Sequence, residues 1–326
     1  MKRTGLLFDE RFLRHQTGPY HPEVPERLTA IYRGLQPGGL LDHLTLIPAR
    51  PADQRWIEAV HSVGHIRRFE EACLMGKSEL DHPDNQICEE TFATALLAVG
   101  GILEAARRVM ERKLDNAFCA IRPPGHHAEV DRALGFCFFN NAAIAARYLQ
   151  AEWGIRHVGI IDFDVHHGNG TQHIFERDPT VFYYSIHEHP TFSYPGTGRE
   201  FERGIEAGYG YTLNSPVLPG QGDEEYRALI EKDLIPAFDR FQPEVILVSA
   251  GFDAHEDDDM SNINLSTAGF SWIMDRIVAL ANQHARGRVI SILEGGYALD
   301  RLPALARNHL EILLGNHSDH RQEGNN

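Results

Sequence analysis

Val158-Gly159-Ile160-Ile161-Asp162-Phe163-Asp164-Val165-His166-His167-Gly168-Asn169-Gly170 begins as a strand with no polar face and ends in acids, histidines and glycines. Residues 158–163 are apolar except for Asp162. Such a strand needs cover on both sides, which a parallel sheet between helices supplies. Five more short apolar runs share this character, at 5–8, 117–121, 181–186, 245–250 and 289–293. Amphipathic stretches at 25–35, 90–112, 140–153, 223–238, 267–285 and 301–314 are the expected helices. Strand–helix alternation predicts an α/β fold, with a mostly parallel sheet and helices on both faces. Ligands in such folds sit at the carboxyl ends of the strands.

The chemistry-bearing residues obey that rule. Arg122-Pro123-Pro124-Gly125-His126-His127-Ala128 follows the run ending at Ile121, and Asp164 and His166 follow 158–163. Phe252-Asp253 follows 245–250, and Gly295-Gly296-Tyr297 follows 289–293. Four loops from different strands thus meet at one rim. At an extended strand end, positions i and i+2 face the same way, so Asp164 and His166 can grip one ion, with Asp253 as a third ligand. Carboxylate and imidazole suit a divalent metal such as zinc, and three protein ligands leave a position open for substrate. Taken alone, Asp-x-His is more often a hydrogen-bonded loop; the neighbouring motifs reverse those odds.

Histidine titrates nearest neutrality, so His126 and His127 suit proton transfer. Asp162 is placed to orient His126, and Asn169 to orient His127. An amide lacks the charge of a carboxylate, so His127 rests neutral more readily. Tyr297, on its glycine loop, can aim a hydroxyl at a developing oxyanion. In Gly135-Phe136-Cys137-Phe138-Phe139-Asn140-Asn141, Phe136 is read as either core or channel wall. One of the two asparagines is read as a helix N-cap.

The bulk properties narrow the function classes. The chain has 326 residues and a formal net charge of −15. That balance argues against nucleic acid as a direct partner. It suits a cationic substrate, though solubility is its more ordinary role. Cys73, Cys88, Cys119 and Cys137 form no C-x-x-C pair, which fits a reducing, cytoplasmic setting. The apolar segment after Met1-Lys2-Arg3 is too short for a signal-peptide core. No apolar run approaches the ~20 residues that span a bilayer. Residues 1–314 are expected to form one domain and 315–326 a polar tail.

With these motifs in place, the chain resembles the histone deacetylase family of arginase-like zinc deacetylases, on its class II-like branch with bacterial acetoin-utilisation relatives. The resemblance runs from His21-Pro22-Glu23-Val24-Pro25-Glu26-Arg27-Leu28 to Gly296-Tyr297. It rests on RPPGHHA, DFDVHHGNGTQ, YPGTG at 194–198, SAGFDAH at 249–255 and EGGY at 294–297. It implies a three-layer domain on an eight-stranded parallel sheet. It implies one zinc ion on Asp164, His166 and Asp253, with His127 as general base and then acid, His126 as electrostatic partner and Tyr297 as oxyanion donor. Gly135, Phe136 and Tyr194 would border a narrow acyl-lysine channel; most members carry phenylalanine at Tyr194. One or two structural potassium ions are implied, at Asp162, Asp164, His166 and Ser185, and at Phe175, Asp178, Val181 and Tyr211. Asn169 stands where class I members have aspartate.

The implied substrate is an acylated lysine side chain, with a small N-acetylated amine such as an acetylpolyamine as the alternative. Polyamine-specific relatives carry a gatekeeper glutamate where Met260 stands, while Glu256-Asp257-Asp258-Asp259 could attract a second ammonium. Ureohydrolase chemistry needs two metals, and this string offers one set. A non-catalytic binding module would not need every chemical residue to be intact.

Overall fold

A computed structural model describes residues 2–315. The tail reading therefore lies outside the described residues, apart from Gly315. Eight strands form one all-parallel sheet: β1 Thr4–Leu7, β2 Leu44–Ile47, β5 Asn116–Cys119, β6 Val158–Asp162, β7 Val181–Glu188, β8 Thr212–Val217, β9 Val245–Ala250 and β10 Val289–Leu293. Their spatial order is β2-β1-β5-β10-β9-β6-β7-β8. β3 Glu79–Leu80 and β4 His82–Gln86 form a small antiparallel hairpin outside it.

The four strands that launch the chemical motifs, β5, β10, β9 and β6, are the central four. Every residue of each is buried. Burying one Val, Leu or Ile side chain contributes about 1.5–3 kcal/mol, so these runs anchor the strand ends firmly. On one face α1 Glu26–Leu35, α9 Thr267–His284 and α10 Leu302–Leu313 pack together. On the other, α4 Thr91–Met110 packs on α5 Asn141–Trp153, beside the short α2 Gln54–Glu58, α3 Val63–Leu74 and α6 Asn169–Phe175. Asn140 caps α5, its side chain accepting from the Ala143 amide at 3.0 Å. Among the described residues no helix is long and apolar enough to cross a membrane.

Three local expectations need correction. The helix read over 223–238 is three pieces: α7 Asp223–Leu229, a π-turn Ile230–Leu234 and α8 Ile235–Phe241. Pro236 has no N–H to continue the ladder, and the wider turn absorbs that loss. Two sheet strands had no counterpart among the expected runs. Both are edge strands, and β8 carries Pro216, which a central strand excludes. Helix α3 also went unread, although Ser62 caps it by accepting from the His65 amide.

Candidate active site

The loops after β5, β6, β9 and β10 converge as expected. Nδ1 of His166 lies 3.2 Å from Oδ1 of Asp164 and 3.2 Å from Oδ2 of Asp253. One donor atom from each lies within 4.8 Å of the others, and all three residues are buried. The carboxylates are held by backbone donors. Asp164 accepts from the amides of His166 (2.9 Å) and Gly295 (2.8 Å), and Asp253 from that of Val165 (3.0 Å). A Cβ on Gly295 would lie 2.1 Å from Oδ2 of Asp253, so only glycine lets this loop approach the carboxylates.

Two carboxylate oxygens and one imidazole nitrogen, fixed in place with one side open, fit a divalent zinc-like ion. Where no ion balances the acids, burial lowers the His166 pKa but the bonds to Asp164 and Asp253 outweigh it, raising it to about 10. A second cluster, His126, Cys137 and Glu294, fits an ion poorly. Burial pushes the Cys137 thiol up, and it donates to the Gly135 carbonyl. Glu294 accepts from the amides of Gly125 (2.6 Å) and His126 (3.2 Å) and from the Ser249 hydroxyl (3.0 Å). It pins the tandem-histidine loop across two strands.

The two histidines have opposite environments. His126 Nδ1–H donates to Asp162 Oδ2 at 3.0 Å, and the Tyr183 hydroxyl donates to the same oxygen at 3.0 Å. Burial lowers the His126 pKa, but Asp164 and Asp162 outweigh it and raise it to about 10. His127 is held well below the ordinary value, by burial first and then by His126 and His166. Its Nδ1 meets Asn169 Oδ1 at 2.7 Å. The Asn169 amide donates to Glu129 Oε1 at 2.6 Å, which fixes its orientation. Nδ1 of His127 therefore carries the proton, and Nε2 keeps a free lone pair. Their surroundings thus push the two rings in opposite directions, His127 towards the neutral form and His126 towards the charged one.

A cavity of about 220 Å³ ends on this cluster, lined by His126, His127, His166, Gly135, Phe136, Tyr194, Met260 and Tyr297, with Asp84 also on its wall. Gly135 sits at φ +53°, and a Cβ there would come within 2.3 Å of the His127 ring. Phe136 also adopts a left-handed backbone, its amide held by Asn85 Oδ1 at 2.9 Å. The Tyr194 ring packs edge-on against His127, with centroids 5.0 Å apart.

The acidic run has a different part from the one read in sequence. Asp257 pairs with Arg301 at 2.6 Å. Asp258 is buried and accepts from the backbone amides of Tyr297 (2.6 Å), Ala298 (2.9 Å) and Met260 (3.1 Å). It clamps the Tyr297 loop from one side. Arg27 clamps it from the other, donating to the carbonyls of Gly296 (2.6 Å) and Glu294 (2.5 Å) while its own charge meets buried Glu23 at 3.0 Å. Sequence reasoning missed Asp258, Glu129 and Asp84 as site residues. An acid two before Met260 and an acid two after His127 were the available signals. Asp84 had none, because the β3–β4 hairpin that carries it went unread.

Some residues of the implied potassium sites are neighbours. Ser185 pairs in register with Asp162 across β6 and β7. Phe175 and Asp178 form the turn between α6 and β7, and the Tyr211 carbonyl accepts from the Tyr183 amide at 2.9 Å. Asp178 also pairs with Arg147 at 2.6 Å, so its carboxylate is committed elsewhere.

An open parallel sheet bearing a buried Asp–His–Asp set, paired histidines and a tyrosine on a clamped glycine loop is the arrangement of a hydrolase of the arginase–deacetylase type. Residues 21–313 match the family described as Histone deacetylase domain, and the chain belongs to that family. It is similar to a probable deacetylase of Archaeoglobus fulgidus, 39% identical over 299 residues, covering 91% of this chain and 82% of that protein. It is similar to the histone deacetylase-like amidohydrolase of Pseudomonas aeruginosa, 34% identical over 331 residues, covering 96% and 87%. Among solved structures, the HDA15 HD domain superposes with a TM-score of 0.92 at 36% identity, covering 96% of this chain and 88% of that one.

Proposed function

We propose that the chain removes acetyl or other short acyl groups from lysine side-chain amines in proteins or peptides, with zinc held by Asp164, His166 and Asp253. The convergence of this ligand set, the His127 lone pair and Tyr297 at the end of one apolar-walled cavity carries the reading. When bound, the metal supplies Lewis-acid polarisation and eases deprotonation of water at neutral pH. Phe136, Tyr194 and Met260 wall in the acyl-lysine stem and exclude bulk water. His127 Nε2 takes a proton from the attacking water as its oxygen bonds to the carbonyl carbon. The carbonyl oxygen, turning anionic, accepts from the Tyr297 hydroxyl, which burial keeps protonated by raising its pKa well above the ordinary value. His127 then returns the proton to the leaving nitrogen as the C–N bond breaks, giving acetate and free lysine. His126, charged against Asp162, steadies the developing negative charge. The potassium sets named above are proposed to stiffen β6, β7 and the turn before β7.

Tyr297→Phe is expected to lower kcat by about 10²-fold with metal content retained. Asp258→Ala releases the Tyr297 amide and is expected to lower kcat about tenfold in the wild-type background, yet to add little to Tyr297→Phe. Full additivity in steady-state kinetics would show that Asp258 acts independently of the tyrosine.

Small N-acetylated amines are the second reading, and Asp84 on the cavity wall is the observation that favours it. That carboxylate can accept from peptide amides or pair with a second ammonium. Met260, by contrast, offers a soft apolar surface. Acetyl-lysine peptides are therefore expected to exceed acetylspermidine in kcat/KM, and Met260→Glu to move the ratio towards the polyamine. A wild-type preference for acetylspermidine of about tenfold, equal to ~1.4 kcal/mol, would overturn the lysine reading.

A further inference from the structure

The end of the sheet opposite the catalytic rim carries a cavity of about 340 Å³, lined by Arg3, Arg112, Arg286, Arg288 and Asp115 with Val109 and Leu114. It lies across the amino ends of three adjacent parallel strands. Arg3 precedes β1, Arg112 and Asp115 precede β5, and Arg286 and Arg288 precede β10. Four guanidinium groups therefore face one carboxylate, in a chain whose net charge is −15.

The one carboxylate is already committed, since Asp115 takes Arg3 Nη2 at 2.8 Å. Among the described residues neither Arg112 nor Arg286 has a carboxylate within ion-pair distance. Arg288 reaches only the Glu244 carbonyl, at 3.5 Å. The Glu244 carboxylate itself accepts from the amides of Arg156 (2.8 Å) and His157 (3.3 Å). Burial and then the like charges of Arg286 and Arg112 lower the Arg288 pKa, against an opposing pull from Glu244.

The backbone supplies an independent observation. Arg112 and Arg286 follow the ends of α4 and α9 at φ 57° and 56°. This is the left-handed position where a helix stop favours glycine, which bears no side-chain penalty there. Both turns place arginine at that disfavoured position, and both arginines line the same cavity.

We infer that this cavity is a binding site for a small anion carrying two or more phosphate groups, gripped by Arg112, Arg286 and Arg288. Planar guanidinium groups match phosphate oxygens in bidentate pairs, and three of them spread over three segments suit more than one phosphate. The cavity volume falls within the range of small-ligand sites. The competing account is that Arg112 and Arg286 merely offset the partial negative charge at two helix ends.

Arg112→Gly and Arg286→Gly separate the accounts, because glycine relaxes the left-handed turn while deleting the charge. Calorimetric titration of the metal-loaded full chain with inorganic pyrophosphate, at constant ionic strength, is expected to show saturable binding. Each variant should weaken it about tenfold or more while melting no lower than wild type. Sulfate and inorganic phosphate should bind more weakly. Metal content is measured after titration, since pyrophosphate also chelates divalent ions. Turnover of an acetyl-lysine peptide should be unchanged in both variants, as the site lies at the far end of the strands. Absence of saturable binding, or equal affinity in wild type and variants, overturns the inference. A lower melting temperature with no change in binding assigns the arginines to the helix ends.

Discussion

Asp253→Ala is expected to lose bound metal and to lower kcat/KM by about 10³-fold or more, a loss of ~4 kcal/mol in transition-state stabilisation. The residue lies 3.2 Å from His166 and belongs to a buried three-donor cluster, so its removal leaves two donors for an ion that needs three. It also holds the β6 loop, because Oδ1 accepts from the Val165 amide at 3.0 Å. Losing that acceptor leaves a buried N–H unpaired, at a cost of about 1–3 kcal/mol in stability. Asp253→Asn separates the two effects. The asparagine amide oxygen can still accept from Val165, but the side chain offers no negative charge to a cation. Metal analysis beside steady-state kinetics is expected to show Asp253→Asn folded, metal-poor and nearly inactive. A metal-free Asp253→Asn with wild-type turnover would reduce Asp253 to a loop anchor.

His127→Ala is expected to lower kcat by about 10²–10⁴-fold while leaving metal content intact. Asn169, itself turned by Glu129, holds the proton on Nδ1 and leaves Nε2 free to accept. His126 Nδ1 is committed to Asp162 Oδ2 at 3.0 Å, and His126 has no amide partner like Asn169 to leave it a neutral base. His126→Ala should therefore cost less than His127→Ala, and its cost should be electrostatic. The comparison is made in single-turnover kinetics on an acetyl-lysine peptide. Equal residual rates for the two variants at every pH would contradict the division of labour.

The centre of the fold was legible for a physical reason. β5, β6, β9 and β10 are buried on both faces, so each is a nearly continuous apolar run, and each leads into its chemical residues. The rim geometry follows from the carboxyl-end rule, which places Asp164, His166, Asp253 and the tandem histidines together. The edges were illegible because an edge strand has no such requirement. β2 is half exposed, and β8 tolerates proline and asparagine. The eight-strand count came from the family resemblance, since the apolar runs alone gave six. The supporting residues were hidden for another reason. Asp258 works through its carboxylate on backbone amides 39 and 40 positions away, a contact that only the folded loops create, so an acid two before Met260 gave no hint of its partners. A run of four acids reads as a solvated face, although one member is buried beneath the Tyr297 loop. Glu129 turns the Asn169 amide from 40 positions away in the same manner.

The central claim is that hydrolysis depends on a divalent ion at Asp164, His166 and Asp253, and one measurement tests it most directly. The purified chain is stripped with chelator, its residual metal is quantified, and turnover of a fluorogenic acetyl-lysine substrate is followed before and after zinc is returned. The account predicts turnover that falls with metal content and recovers near one equivalent of zinc in wild type, but not in Asp253→Asn. Full turnover in the metal-free protein would contradict it.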